Sequence, residues 1–196
     1  MPHADSSLVP PGLTTKAEFY AHVTEQLELL LDGHRYWVSN LAQASALLYH
    51  SYAGSELYGL ADNHTPVVNW VGFYVQPSAE PVKGKPAPLV LGPYAGRPAC
   101  ITISPVAGRG VCADAFVNDA PVVVGDVDAY PGHIACDGDT KSEIVLPLRL
   151  STPAGVSATV GVLDLDSTVL STFDDEDRKG LEEVVRILAK ASDWTP

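Results

Sequence analysis

Apolar residues near the start of the chain recur with the period of an α-helix. Phe19, Val23, Leu27 and Leu30 follow at intervals of four, four and three, which puts them on one helical face. Thr15 precedes them with Glu18 three residues on, the reciprocal pairing of a capping box. Gly33 suits the left-handed residue that closes a helix. Trp37, Leu41, Ala44 and Leu48 repeat the period, so a second helix runs to about Tyr52 and breaks at Gly54.

Beyond Pro66 the pattern changes. The run from Val67 to Val75 is rich in β-branched and aromatic residues and reads as a strand, with Val68, Trp70, Gly72 and Tyr74 on one face. Residues 77–88 hold four prolines and one glycine and read as a hairpin loop, after which residues 89–92 resume the sheet. Residues 99–103 read as a further strand. Gly108-Arg109-Gly110 opens a short helix carrying Val111, Cys112, Ala115 and Phe116, and residues 121–124 form a short strand. Residues 126–141 have no clean period and read as a long loop, a place where function concentrates. Two adjacent strands follow, at 142–150 and 158–166. A last helix starts near Asp174-Asp175-Glu176-Asp177, whose carboxylates favour a helix N-terminus, with Leu181, Val184, Val185 and Leu188 as its apolar stripe. Strands and helices do not alternate, so the expected fold is α+β: a mostly antiparallel central sheet flanked by helices.

Length adds that one domain is the natural fit for 196 residues, with residues 1–12 as a tail and 13–196 as the domain. Charge adds exclusions. Twenty-four acidic residues face 12 Lys and Arg, for a net charge of −12, which disfavours nucleic acid and anionic membrane as partners. No apolar run approaches the ~20 residues of a membrane span. The N-terminus lacks the basic and apolar regions of a signal peptide, so the expected compartment is the cytoplasm, where thiols stay reduced.

In that compartment three cysteines, Cys100, Cys112 and Cys136, point to buried, catalytic or metal-bound roles rather than a disulfide framework. Cys136 lies in the long loop, three residues after His133, a setting that can yield a reactive thiolate. Taken alone it reads better as a small buried apolar residue; the loop context and the two other cysteines weigh against that. No Cys-x-x-Cys pair exists, so no structural zinc is expected, and no cofactor either. Asp164 and Asp166 share one strand face, and Glu143 opens the preceding strand. Like charges so placed need a cation, hydrogen bonds or a raised pKa, unless they form a solvated strand end. Trp70 and Tyr74 serve as core, or as an aromatic wall for a small ligand.

Six segments, taken in order, resemble the free methionine-R-sulfoxide reductases, which are GAF-domain enzymes. They are Asn69-Trp70-Val71-Gly72-Phe73-Tyr74, Leu89-Val90-Leu91-Gly92-Pro93, Gly108-Arg109-Gly110-Val111-Cys112, Tyr130-Pro131-Gly132-His133-Ile134-Ala135-Cys136-Asp137, Ser142-Glu143-Ile144-Val145 and Gly161-Val162-Leu163-Asp164-Leu165-Asp166-Ser167. The resemblance spans nearly all of the chain after the first dozen residues. It implies that Cys136 is the nucleophile and that Cys112 and Cys100 supply the resolving thiol. It implies that Glu143, Asp164 and Asp166 are acidic site residues, and that Trp70, Tyr74 and Ile134 line the substrate pocket. The implied reaction is reduction of free methionine-R-sulfoxide through a sulfenic acid and an intramolecular disulfide, which thioredoxin reopens; a homodimer is compatible with it. Asp128, residues 138–141 and residues 104–107 depart from the family's pattern. A GAF module that binds a small ligand without chemistry is the alternative function.

Overall fold

A computed structural model describes residues 9–77, 87–133, 137–151 and 157–194. Most of the expected tail, most of the hairpin loop at 77–88, and Ile134 and Cys136 lie outside the described residues.

Helix α1, Lys16–Leu31, begins at the expected cap: the Thr15 hydroxyl accepts from the Glu18 amide, and the Glu18 carboxylate accepts from the Thr15 amide. Its stripe continues through Leu31 rather than Leu30, the position four residues past Leu27. Helix α2 covers Trp37–Gly54. The strands are β1, Val68–Val75; β2, Leu89–Gly96; β3, Thr102–Ile103; β4, Val122–Val124; β5, Ser142–Ser151; and β6, Ser157–Ser167. Helix α3, Val111–Asn118, lies between β3 and β4, and α4, Asp175–Ala191, closes the described chain. A single turn of 3-10 helix, Val127–Ala129, interrupts the long loop.

The six strands form one sheet in the order β3-β2-β1-β6-β5-β4, with every pairing antiparallel. The fold is therefore α+β, as the pattern predicts. Strand β6 sits between β1 and β5, so both of its edges are paired. Its side chains alternate between two different environments.

On one face, Leu163 and Leu165 of β6 join Val71 and Phe73 of β1 and Ile144, Leu146 and Leu148 of β5. Helices α1, α2 and α4 cover this face with Phe19, Val23, Leu27, Leu41, Leu48, Leu181, Val184 and Leu188, all essentially buried. At about 1.5–3 kcal/mol per fully buried large apolar side chain, this layer is the main source of stability. On the other face, Trp70, Tyr74, Val145 and Val162 meet Val111, Cys112 and Ala115 of α3. Among the described residues, one short helix lies over this second face, which leaves room for a cavity.

Two expectations need correction. Val68 does not share the face of Trp70; the ladder with β6 is irregular between Val68 and Trp70, and Val68 packs into the helical core. The strand read at 99–103 reduces to Thr102–Ile103, which pair with Val90 and Leu89. Ile101 is 74% exposed, so its apolar side chain marks no buried strand.

A polar knot sits within the helical layer. Asp177, fully buried, accepts from Lys16 Nζ at 2.5 Å, from the Tyr20 hydroxyl at 2.9 Å and from the Tyr58 hydroxyl. It also completes the α4 cap by accepting from the Asp174 amide at 2.8 Å. Burial, above all, holds the Tyr20, Tyr52 and Tyr58 phenols protonated, so they act as donors.

Candidate active site

The register of β1, β6 and β5 builds the site. Gly72 of β1 stands opposite Asp164, and Trp70 stands opposite Asp166. On the other side, Glu143 of β5 stands opposite Asp166 and Val145 opposite Asp164. Side-chain alternation then sends Trp70, Tyr74, Glu143, Asp164 and Asp166 to the same face. All five line a cavity of about 160 Å³, together with Cys100, Cys112 and His133. The volume lies below the ~300–1,000 Å³ of pockets for drug-sized ligands and suits a molecule the size of one amino acid.

The aromatic wall depends on a glycine. Trp70 stacks on Tyr74, with ring centroids 6.0 Å apart, and on Tyr94, at 5.5 Å. A side chain at Gly72 would collide with this stack, because its Cβ would lie 2.4 Å from the Trp70 ring. The two rings of β1 also anchor the segment that follows β2. Trp70 Nε1 donates to the Arg97 carbonyl at 3.1 Å, and the Tyr74 hydroxyl donates to the Cys100 carbonyl at 3.0 Å. Cys100 thereby joins the cavity wall.

The acidic wall is buried and crowded. Glu143 and Asp164 are 5% and 6% exposed. The Cys112 thiol points at Glu143 Oε1 across 4.0 Å, and His133 Nε2 lies 3.5 Å from Glu143 Oε2. Asp164 Oδ1 has no hydrogen-bond partner among the described residues. Burial, partly opposed by the His133 hydrogen bond and reinforced by the charge of Asp166, pushes Glu143 up to about 7. Burial and then the charge of Glu143 push Asp164 well above the usual carboxylate range. Asp166, at the more open end, is raised by lost hydration and then by Asp164 and Asp137. Such a group titrates as a unit and holds protons near neutral pH. Burial, with Asp164 and Glu143 adding negative charge, also pushes the Cys112 thiol well up. Cys112 is therefore a protonated thiol at neutral pH. His133 is raised, first by its hydrogen bond to Glu143; its described partner is this carboxylate.

Two loops form the cavity's mouth. Asp114, in the first turn of α3, accepts from the Gly108 amide at 2.6 Å and from the Tyr130 hydroxyl at 2.8 Å. Gly132 (φ +76°) lies against the Gly108 carbonyl. Asp137 accepts from Asn69 Nδ2 at 3.3 Å and from Arg97 at 3.4 Å, and Arg97 also reaches Asp139 at 2.7 Å. Asp137 is the neighbour of Cys136 in sequence, so these contacts pin one flank of the segment that carries it.

Of the expected site residues, Trp70, Tyr74, Cys100, Cys112, Glu143, Asp164 and Asp166 thus come together; Ile134 and Cys136 are outside the described residues. Tyr94, Arg97, Asp114 and Asp137 were not anticipated. Asp114 had a signal, as an isolated carboxylate in the otherwise apolar start of a helix. Arg97 had none, since it acts through a loop whose path has no period.

The GAF domain family model matches residues 17–191. A protein of Saccharomyces cerevisiae named free methionine-R-sulfoxide reductase is 38% identical over 96% of this chain and 93% of its own. An Escherichia coli protein of the same name is 40% identical over 89% of each chain. The solved structure of the free methionine-R-sulfoxide reductase of Neisseria meningitidis, in complex with its substrate, superposes with a TM-score of 0.75. It is 36% identical and covers 94% of this chain and 95% of that one. A match over most of the chain, to the fold and to these relatives alike, assigns this chain to the GAF domain family and, within it, to the free methionine-R-sulfoxide reductases.

Proposed function

We propose that this protein reduces free methionine-R-sulfoxide to methionine. One observation carries the reading: in a chain of this family, a single small cavity holds Trp70, two cysteines and three crowded carboxyls.

Trp70 receives the methyl and thioether end of the substrate and keeps water from it. The carboxyl group face, Glu143 with Asp164 and Asp166, receives the sulfoxide oxygen and the substrate ammonium. A carboxyl that keeps its proton near pH 7 can donate it to the oxygen as the sulfur is attacked. The Cys136 thiolate attacks that sulfur and forms a transient sulfur–sulfur bond. As this bond and the sulfur–oxygen bond break, the protonated oxygen passes to Cys136 as a sulfenic acid, and methionine leaves two electrons richer. Cys112 or Cys100 then attacks the sulfenic sulfur, water leaves, and a disulfide forms. An external dithiol, of which thioredoxin is the expected source, reopens the disulfide by exchange and restores both thiols. A resolving thiol must stay reduced and unreactive until the sulfenic acid appears, which the raised pKa of Cys112 favours. The proposed compartment is the cytoplasm; among the described residues no helix is long and apolar enough to cross a membrane.

The test is turnover of free methionine-R-sulfoxide with a thioredoxin system. The expected result is methionine formation by the wild type and none by Cys136→Ser. Binding without turnover by the wild type would instead mark a ligand-binding GAF module.

A further inference from the structure

We propose that the reduced protein binds one thiophilic divalent cation, zinc above all, through Cys112 Sγ, Glu143 and Asp164. The three residues come from α3, β5 and β6, and one ligand atom of each lies within 4.8 Å of the other two. One feature beyond the cluster itself points to a cation: among the described residues, Asp164 Oδ1 is buried without a hydrogen-bond partner in a side chain that lines the cavity.

Zinc bonds of about 2.3 Å to sulfur and about 2.0–2.2 Å to oxygen put tetrahedral ligands roughly 3.5 Å apart. The ligand atoms, within 4.8 Å of one another, have only about 1 Å to close to reach that spacing. One sulfur and two carboxylates suit zinc better than magnesium or calcium, which require more oxygen ligands and avoid sulfur. His133, 3.5 Å from Glu143 Oε2, is placed to steady that carboxylate from outside the coordination sphere. The fourth position faces the cavity.

The expectation of no metal rested on local spacing; Cys112 and Glu143 are 31 residues apart and meet through the sheet. Binding replaces the Cys112 thiol proton, which leaves to solvent, with a metal–sulfur bond. The site therefore exists only while Cys112 is reduced, and a disulfide at Cys112 removes it. If the proposed function holds, the cation and the sulfoxide compete for the same carboxylates.

The experiment uses the full chain, reduced and freed of metal with a chelator. Cobalt(II) is added as an optical probe and zinc by calorimetry. The expected result is one cation per chain, with a sulfur-to-cobalt charge-transfer band in the wild type and in Cys136→Ser but not in Cys112→Ser. Asp164→Asn, with circular dichroism as the folding control, weakens zinc binding about tenfold or more. A band that survives Cys112→Ser, or one that disappears in Cys136→Ser, overturns the site, as does weak binding of several ions shared by every variant. In steady-state assays zinc raises the apparent KM and leaves kcat unchanged. A protein that binds zinc through Cys112 yet reduces no sulfoxide would retain this site and lose the proposed function.

Discussion

Gly132 lies so close to Gly108 that a methyl group on it would sit 2.2 Å from the Gly108 carbonyl oxygen. Its φ of +76° adds a second demand for glycine. The two loops at the cavity mouth meet there, one leading into α3 and the other into His133. Gly132→Ala must part them. The expected outcome is a loss of about 1–3 kcal/mol in urea unfolding and a fall in kcat/KM larger than the lost stability explains. Wild-type kcat/KM in a folded Gly132→Ala protein would show that the close approach plays no part in positioning the site.

Glu143 gives a pH prediction whose sign is fixed. Its pKa in the folded protein, about 7, lies above its ordinary 4.5. Between those values the folded state holds a proton that the unfolded chain has released. Stability therefore falls as pH rises through this window, by up to about 3 kcal/mol for this group. Glu143→Gln removes that cost. At pH 8, with chelator present, the variant should melt several degrees higher than wild type while its reductase activity is lost. Wild-type activity should fall as pH rises through about 7, where the donor loses its proton. A Glu143→Gln protein that melts lower at pH 8 would contradict the assignment.

Gly72→Ala tests the aromatic wall. The added methyl group must push the Trp70 ring out of its stack with Tyr74 and Tyr94. The predicted effect on the proposed reaction is a rise in KM of about tenfold or more, equivalent to about 1.4 kcal/mol of binding. Tryptophan fluorescence should shift in parallel.

Asp177 provides the opposite control. It lies in the helical layer, on the other side of the sheet from the cavity. Asp177→Ala leaves Lys16 and two phenols without their shared acceptor. The expected loss is about 3–5 kcal/mol, measured by urea unfolding. The kcat of the molecules that remain folded should stay near wild type.

The contrast between Asp177 and Asp164 also shows what a sequence exposes. Asp164 and Asp166 interrupt an apolar strand at every second residue, so their common face follows from alternation alone. Thr15 and Glu18 likewise announce a cap through their spacing. Asp177 sits in a run of four acidic residues that reads as a charged helix start, and nothing local marks it as the buried one. Two tyrosines and a lysine from distant segments make that choice. Arg97 and Asp137 were hidden for the same reason, since each acts by joining loops whose approach depends on the finished sheet. His133 stood out beside Cys136, but its pairing with Glu143, ten residues on, follows from no spacing rule.

Strand β6 alternates Leu163 and Leu165 with Asp164 and Asp166 between two paired neighbours. A slip of one residue would drive both carboxyls into the helical core and turn both leucines into the cavity. The leucines thus act as a gauge that checks the alignment of the acids. A misaligned cavity cannot hide inside an otherwise sound core, so every molecule that passes the test of folding already has its carboxyls in place.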